Sequence, residues 1–459
     1  MTLVLRNAQL FVPAPTAPGR PRPGGGPAAG PGARSGPVDL VLAGGRIAAI
    51  GAGLRSGELD RLLEEHAESE ELEREEIDLE GRLVTPPLVE PHIHLDAVLT
   101  VGQPRQNVSG SLFEGIAIWG ERVRTLTVED VARRAREVLR WQLACGVLAV
   151  RSHVDVCDPQ LRALVALTAL REEFRGLIDL QLVAFPQQGI LGFEGGTELM
   201  RRAVSRGVDA VGGIPHFELT REDGVESVRF VFALAEEAGL RVDIHCDETD
   251  DDHSRFVEVM VAETIRRGMS GRVTASHTTA MHSYNNAYAS RLVSNIARAG
   301  LHMVTNPLDN AVLQGRFDAG PVRRGHTRVK ELLAAGVNVA VGHDSVMDPW
   351  YPLGFGDPVQ AAFVLAHLGH LSGAEELPYL LEMVTTNPAR ALGVDSGGLR
   401  VGGPADLVAF DAPSAVDVIR RVAPRYLVVR AGRVVARTRP ARTTVTVDGR
   451  TEEVTFLRR

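Results

Sequence analysis

The sequence predicts a (β/α)8 barrel that carries a small β-sandwich domain built from both chain ends. Three observations lead to this prediction. Short β-rich runs alternate with amphipathic helical segments from residue 83 onward, polar side chains stand at the ends of most of these runs, and both termini resemble strands. A chain of 459 residues is long enough for a barrel of about 250 residues with an accessory domain. The chemistry of such barrels lies at the carboxyl ends of their strands.

The N-terminal region predicts strands interrupted by irregular segments. Residues 2–12 and 38–50 alternate apolar and polar, and a Gly-Gly pair between two halves of the second run predicts a hairpin turn. Residues 13–37 are mostly Pro, Gly and Ala, which predicts a flexible surface loop. The acidic stretch 55–76 predicts a solvated helix or loop, with a partner-binding patch as the alternative.

The central region predicts eight βα units. The strands are Leu83–Leu88, Leu148–Val156, Ile178–Phe185, Ala210–Phe217, Arg241–His245, Arg272–His277, His302–Asn306 and Asn338–His343. Helices are predicted at Val128–Ala144, Leu161–Phe174, Gly224–Ala238, Arg255–Arg267 and Tyr284–Ala299.

The tail predicts strands again, at Asp406–Phe410, Tyr426–Arg430 and Val434–Arg437. We therefore expect a barrel domain over 83–389 and a small sandwich domain formed by 1–82 and 390–459.

Bulk composition excludes several partners. The net charge of −8 does not favour binding to nucleic acid. The sequence contains no run of 18 apolar residues, so it predicts no membrane-spanning helix. Residues 1–12 lack the apolar core and cleavage site of a secretory signal. Three widely spaced cysteines form neither a disulfide framework nor a Cys-x-x-Cys clip, so we expect a cytoplasmic protein.

His92-Ile93-His94 is the most informative motif. In an extended strand residues two apart share a face, so two imidazoles at a strand end converge about 7 Å apart along the strand. That spacing suits one metal ion, although an isolated His-x-His is equally compatible with an ordinary turn.

Polar side chains at the other strand ends favour the metal site. They are His153, Asp155, Gln187, His216, Glu218, His245, Asp247, Glu248, His277, His343 and Asp344. Burying such a ring is unfavourable unless its members are paired or bound to metal. Neutral imidazoles with one carboxylate suit Zn²⁺ or Fe²⁺, which activate water near neutral pH. Glu248 is placed to carry a proton from water to a leaving amine, and His277 is placed to orient that water. Gln187 is placed to pair with an amide-like edge of a ring.

Two rival metallohydrolase classes are excluded. A binuclear site bridged by a carbamylated lysine needs a lysine on the fourth strand, but the sole lysine, Lys330, falls after the predicted seventh strand. The deaminases that bind zinc through Pro-Cys-x-x-Cys are excluded because the chain has no Cys-x-x-Cys.

The motifs together resemble bacterial cytosine deaminases of the amidohydrolase superfamily, from about residue 83 to 355 and more weakly through the tail. The matching segments are Pro87–Asp96, Gly110–Gly115, Val183–Gln187, Ile214–Glu218, Asp243–Glu248, Ala275–Asn285, Gln314–Asp318 and Asp348–Gly354. They are far more specific than one His-x-His.

The resemblance implies a mononuclear iron or zinc site with the ligands His92, His94, His245 and Asp344. It implies that Glu248 shuttles protons, that His277 and Asp344 complete the catalytic machinery, and that Gln187 binds the pyrimidine. Leu112, Phe185 and Trp350 would line the ring pocket. Hydroxide would attack C4 of a free pyrimidine base, releasing ammonia and leaving uracil or thymine. A homo-oligomer is also typical of this family.

One departure concerns the substrate. Deaminases that prefer cytosine usually carry Asp-Asp after the Gly-His of the eighth strand, whereas this chain has Asp344-Ser345. The family's fold places the second residue beside C5 of the ring, so the smaller Ser345 leaves room for a methyl group. We hypothesise that 5-methylcytosine is accepted as well as or better than cytosine; the alternative is a neutral change.

Two other functions remain open from the sequence. One is deamination of another cyclic amidine, such as isoguanine or creatinine, by the same metal chemistry. The other is a catalytically inactive binding protein on the barrel scaffold, which the presence of every expected ligand and of Glu248 argues against.

Overall fold

The computed structural model describes residues 2–13, 36–54, 74–320, 322–395 and 398–457. Most of the predicted loop at 13–37 and of the acidic stretch at 55–76 therefore lies outside the described residues. Within them, none of the helices is both long and apolar enough to cross a membrane.

The N-terminal residues form strands of a mixed end sheet. They are Thr2–Leu10 (β1), Val38–Ala43 (β2), Arg46–Gly51 (β3), Arg74–Asp78 (β4) and Leu83–Thr85 (β5). β1 pairs antiparallel with β2 and parallel with β4 and β5. The predicted hairpin turn lies between β2 and β3, where Gly44 and Gly45 have φ of 56° and 73°. Positive φ at both turn positions is what a tight hairpin requires.

The central residues form the predicted barrel. Its strands are Leu88–Ile93 (β6), Val147–Asp155 (β7), Asp179–Phe185 (β8), Ala210–Val211 (β9), Arg241–Cys246 (β10), Val273–His277 (β11), His302–Thr305 (β12) and Asn338–Val341 (β13). Neighbouring strands are parallel, in the order of the sequence. All eight carboxyl ends of this described barrel therefore open at one mouth, as the sequence predicted.

Two predicted barrel strands are wrong in extent. The run Leu83–Leu88 is split at Pro86-Pro87, which have no N–H for a ladder hydrogen bond: its first half, β5, belongs to the end sheet, and the barrel strand starts at Leu88. The run Ala210–Phe217 pairs only at Ala210–Val211, is followed by Gly212 and Gly213, and ends in a 3₁₀ turn at Pro215–Phe217.

Helices connect the barrel strands and follow the last of them. They are Leu112–Val123 (α1), Val128–Ala144 (α2), Arg162–Glu173 (α3), Gly196–Val204 (α4), Arg221–Ala238 (α5), Phe256–Arg266 (α6), Asn286–Ala299 (α7), Pro307–Leu313 (α8), Val329–Ala334 (α9), Pro358–Leu368 (α10), Glu376–Glu382 (α11) and Thr386–Leu392 (α12). Ser111, Thr127 and Thr220 cap three of them by accepting from backbone N–H groups of the first turn. Each of the five predicted helical segments forms a helix.

The barrel closes where its first and last strands meet. The backbone N–H of Asp344 donates to His92 O at 2.8 Å, and the N–H of His94 donates to Asp344 O at 3.3 Å. The buried Glu90 carboxylate, from β6, also accepts from the backbone N–H groups of His92 and His343. Gly342 allows the backbone to pack closely here, because a Cβ at this position would lie 2.4 Å from Asn306 Oδ1. We call this junction the barrel seam.

The tail returns to the end sheet. Leu407–Phe410 (β14), Arg425–Arg430 (β15) and Arg433–Arg437 (β16) extend it beyond β5, and Ala415–Arg421 (α13) lies between β14 and β15. The two chain ends therefore form one mixed sheet with its own apolar core, while α13 packs against α10 and α11. Thr443–Val447 (β17) and Arg450–Val454 (β18) form a separate hairpin.

Candidate active site

Four predicted ligands converge at the barrel mouth. His92 Nε2 lies 3.2 Å from His245 Nε2, and His94 Nε2 lies 3.0 Å from the same atom. Oδ1 of Asp344 lies 3.5 Å from Nε2 of both His92 and His94. All four side chains are buried. Among the described residues, His92, His94 and Asp344 form one group that could hold a metal ion, and His92, His245 and His277 form another that shares His92.

This geometry fits one metal ion. A tetrahedral ion with bonds of about 2.0–2.1 Å places its ligand atoms roughly 3.3 Å apart, close to the observed 3.0–3.5 Å separations. Burial lowers the pKa of His94 to about 3 and those of His92 and His245 well below their usual value, so the rings are neutral.

Strand geometry and a strained residue position these ligands. His92 and His94 stand at the end of β6, where alternation places both on one face. His245 extends from β10, and Phe185 stacks on its ring with centroids 4.0 Å apart. Asp344 adopts the left-handed region, with φ of 70°, just after β13. Such a conformation in a residue other than glycine is uncommon and concentrates at functional sites.

A buried hydrogen-bond relay orients His92. Nδ1 of His92 lies 3.0 Å from Ser276 Oγ, and Ser276 donates to Asp243 Oδ1 at 3.1 Å. Asp243 in turn accepts from Arg151 at 2.8 Å. Because the serine proton goes to Asp243, the serine oxygen accepts the Nδ1 proton of His92. Nε2 of His92 is thereby left with its lone pair directed at the cluster.

We expect Ser276→Ala to weaken metal binding about 10- to 100-fold, because His92 loses the partner that fixes its orientation and tautomer. Competition between the protein and a chelator of known affinity measures this. Ser294→Ala is the matched control, since that hydroxyl bonds only the Ser290 carbonyl on α7 among the contacts described. Unchanged metal affinity in Ser276→Ala would contradict the role of the relay.

A proton-transfer pair lies beside the cluster. His277 Nδ1 is 3.4 Å from Glu248 Oε1, and His277 Nε2 is 3.8 Å from Asp344 Oδ2. The side-chain amides of Asn310 and Asn306 contact the ring of His277, with Asn310 Nδ2 3.1 Å from Nδ1 and Asn306 Nδ2 3.3 Å from Nε2. Burial, together with the nearby Asp309, holds the pKa of Glu248 well above its usual value. A carboxyl group with a raised pKa is suited to proton transfer near neutral pH.

The cluster opens into a cavity of about 290 Å³. Its lining residues are His94, Leu112, Gln187, His245, Glu248, His277, Asp309, Leu313, Asp344, Ser345 and Trp350. The structure thus brings together nearly all the predicted site residues, with His92 buried beneath them. Phe185 differs from the expectation: it packs behind His245 and is not one of the lining residues.

Two lining residues are held by specific contacts. The Asp155 carboxylate accepts from Trp119 Nε1 at 2.8 Å and from the backbone N–H of Gln187 at 3.4 Å, which fixes the turn that carries Gln187. Trp350 lies against α1 at Gly115, where a Cβ would be 2.4 Å from the indole Cδ1. Only glycine permits this approach.

Other predicted strand-end residues have supporting positions. The Glu218 carboxylate accepts from the backbone N–H groups of Ile190 and Gly192 at 2.7 and 2.8 Å, which holds the loop after β8. The ring of His153 packs 4.0 Å from that of His92. Asp247 accepts from the N–H groups of Phe256 and Val257 at the start of α6.

Three site residues were not predicted. Asp309 and Leu313 line the cavity, and Asn310 contacts both His277 and Glu248. All three lie on α8, directly after β12. The signal that indicated the other residues, polar side chains after a barrel strand, is also present in Asp309 and Asn310, which follow the seventh strand.

Comparisons with known proteins show the family to which this chain is similar. The sequence profile of the Amidohydrolase family matches residues 75–436. The crystal structure of 5-methylcytosine deaminase from Klebsiella pneumoniae, liganded with 5-fluorocytosine, superposes with a TM-score of 0.84 at 43% sequence identity. The alignment covers 95% of this chain and 98% of that one. A second structure of that enzyme, liganded with phosphonocytosine, has the same TM-score.

Two more distant relatives also act on nitrogen heterocycles, by their names. A pterin deaminase from Rhizobium rhizogenes is 32% identical over 79% of this chain and 83% of its own length. The N-isopropylammelide isopropyl amidohydrolase of Pseudomonas sp. strain ADP is 29% identical over 82% of this chain and 92% of its own length.

Proposed function

The chain belongs to the amidohydrolase family, and we propose that it deaminates a free pyrimidine base, with 5-methylcytosine a better substrate than cytosine. One observation carries this proposal: His94, His245 and Asp344 line a single cavity together with Glu248, Gln187 and Ser345. The 43% identity to a 5-methylcytosine deaminase supports the same substrate class.

We infer zinc or ferrous iron as the metal, because a donor set of three imidazoles and one carboxylate suits these borderline ions. When bound, such an ion lowers the pKa of a coordinated water from 15.7 to about 7 and polarises the reacting carbon. His92, His94, His245 and Asp344 would hold it.

The remaining residues bind the ring and move protons. Gln187 offers one donor and one acceptor, which match the amide edge of the pyrimidine. Glu248 carries a proton from the attacking water to the leaving amino group, and His277 and Asp344 orient that water. The oxygen of water becomes bonded to C4, the bond from C4 to the amino nitrogen breaks, and ammonia leaves. The product is thymine from 5-methylcytosine or uracil from cytosine.

The methyl preference depends on Ser345. Its hydroxyl donates to Asp309 Oδ2 at 2.8 Å, so the small side chain is held against the cavity wall. A larger residue at this position would take the space that a C5 methyl group needs. A pocket discriminates one methyl group by about 10- to 200-fold.

We therefore expect Ser345→Thr to lower the ratio of kcat/KM for 5-methylcytosine to that for cytosine by about tenfold or more. Threonine keeps the hydroxyl that donates to Asp309 and adds one methyl group. Ser345→Ala is the matched control, because it leaves the space open and should change the ratio only a few-fold. Rates of ammonia release from metal-loaded protein give these ratios.

The same assay tests the function itself. Isoguanine, creatinine and pterin should release ammonia far more slowly than the two pyrimidines. A strong preference for one of these rings, or for cytosine over 5-methylcytosine, would refute the proposed substrate.

A further inference from the structure

Trp119 is a buried residue of α1 that the proposed function does not use. Its exposure is 1%, and its indole Nε1 donates to Asp155 Oδ2 at 2.8 Å. The other oxygen of this carboxylate accepts from the backbone N–H groups of Cys157 at 2.9 Å and of Gln187 at 3.4 Å. Indole and backbone N–H groups can only donate, so the carboxylate is the acceptor in all three bonds. Asp155 therefore joins Trp119 to the turn that carries Gln187.

The same helix carries part of the apolar wall of the cavity. Leu112 lines the cavity, and Gly115 lies against the indole of Trp350, another lining residue. The helix positions 112, 115 and 119 are spaced by three and four residues, so their side chains share one face. On that face the ring centroid of Trp119 lies 6.1 Å from that of Trp350. One face of α1 thus contacts the apolar wall and the support of Gln187.

Burial makes the bond between Trp119 and Asp155 hard to replace. The two side chains have exposures of 1% and 4%, so bulk water does not readily take the place of the indole as donor. A buried acceptor that loses its donor must turn toward another or stay unpaired, which is unfavourable. Without the indole we expect the carboxylate to rotate and to release the N–H of Gln187, the most distant of its three donors.

We propose that Trp119 is a positioning residue for substrate recognition. Through Asp155 it holds the turn of Gln187 in place relative to the apolar wall. The amide of Gln187 can then pair with the edge of a ring that lies against Leu112 and Trp350. Trp119 does not itself line the cavity, so it acts on the substrate through Gln187. This inference rests on the proposed pyrimidine deamination and adds the residue that aligns its two binding surfaces.

The test is a double-mutant cycle between Trp119→Phe and Gln187→Ala. Phenylalanine keeps an apolar ring but has no N–H for Asp155. We expect Trp119→Phe alone to raise KM for 5-methylcytosine about tenfold and to leave kcat within about threefold of wild type, because the lost contact concerns binding of the ring. In the Gln187→Ala background the same substitution should change KM by less than about twofold, since the amide that it positions is absent.

A second variant breaks the same link with less loss of volume. Asn has one acceptor oxygen where Asp155 has two, so Asp155→Asn cannot accept from both the indole and the turn. Its KM should also rise about tenfold, and again only when Gln187 is present. Steady-state ammonia release from metal-loaded protein gives KM and kcat for every variant.

Matched controls exist for both substitutions. The indole of Trp141 on α2 donates to Glu137 at 2.9 Å away from the cavity, so Trp141→Phe removes a comparable bond. Asp158 is buried and accepts from the backbone N–H of Arg162 at the start of α3, so Asp158→Asn removes a comparable charge. Both variants should keep KM within about twofold of wild type.

The outcomes separate this inference from the function on which it rests. Equal rises in KM with and without Gln187, in protein that binds metal normally, would show that Trp119 acts by packing alone and would overturn its positioning role. An unchanged KM in both Trp119→Phe and Asp155→Asn would overturn it as well. Failure of the wild type to release ammonia from any pyrimidine would instead overturn the proposed function.

Discussion

Glu248→Gln is expected to keep its metal and to lose about 10²- to 10⁴-fold in kcat, the usual contribution of a general acid or base. Glutamine preserves the shape of the side chain and its contact with Asn310, but it has no transferable proton. Metal analysis should give the wild-type content, because the Glu248 carboxylate is not one of the four converging ligand atoms. Steady-state ammonia release and metal analysis on the same preparation measure both properties.

Glu258→Gln is the matched control for this change. Glu258 lies on α6, where its carboxylate accepts from the Tyr288 hydroxyl at 2.9 Å, and it does not line the cavity. Its kcat should stay within about twofold of wild type, as for most surface substitutions. Near-normal turnover in Glu248→Gln would rule out proton transfer by Glu248.

Asp344→Asn is expected to lower both metal affinity and turnover, with kcat reduced by about 10³-fold even at saturating metal. Asparagine tolerates the left-handed backbone found at this position, so the barrel seam is retained. The variant loses the negative charge that offsets the charge of the metal ion. It also loses a carboxylate oxygen, the acceptor that faces His277. Titration with the metal, followed by activity measurements at full occupancy, separates the two effects.

Asp158→Asn serves again as the control for replacing a buried aspartate. If Asp344→Asn recovers wild-type turnover once metal is added, the carboxylate acts only as a ligand and takes no part in handling water. Wild-type metal affinity in the same variant would exclude Asp344 from the ligand set.

The sequence predicted the parts of this molecule that follow from local rules. Alternation along β6 places His92 and His94 on one face, and parallel strands bring their carboxyl ends to one mouth. These two rules predict His245 and Asp344 at the same mouth, whereas their assignment as ligands came from the family resemblance. The barrel, the end sheet and the family resemblance are confirmed. The identity of the metal, the homo-oligomer and the domain boundaries stay predictions.

The sequence did not predict which side chains face the cavity once the backbone leaves a strand, because strand alternation no longer applies there. Gln187 lies two residues beyond Phe185, but Pro186 begins a turn, so alternation no longer applies and only Gln187 reaches the cavity. Asp309 sits within a short helix, where neither strand alternation nor a long helical period indicates its direction. Similarly, Pro86-Pro87 moves β5 out of the barrel, although its apolar residues resemble those of a barrel strand.

The barrel seam has a consequence for how the protein holds together. His94 and Asp344 are 250 residues apart in the sequence, yet their peptide groups join the first and last barrel strands. A metal ion held by both side chains, as we propose, would join these distant points as a removable cross-link. Because closing so long a loop is entropically unfavourable, such an ion would stabilise the closed ring. Folding and metal binding would then be thermodynamically linked.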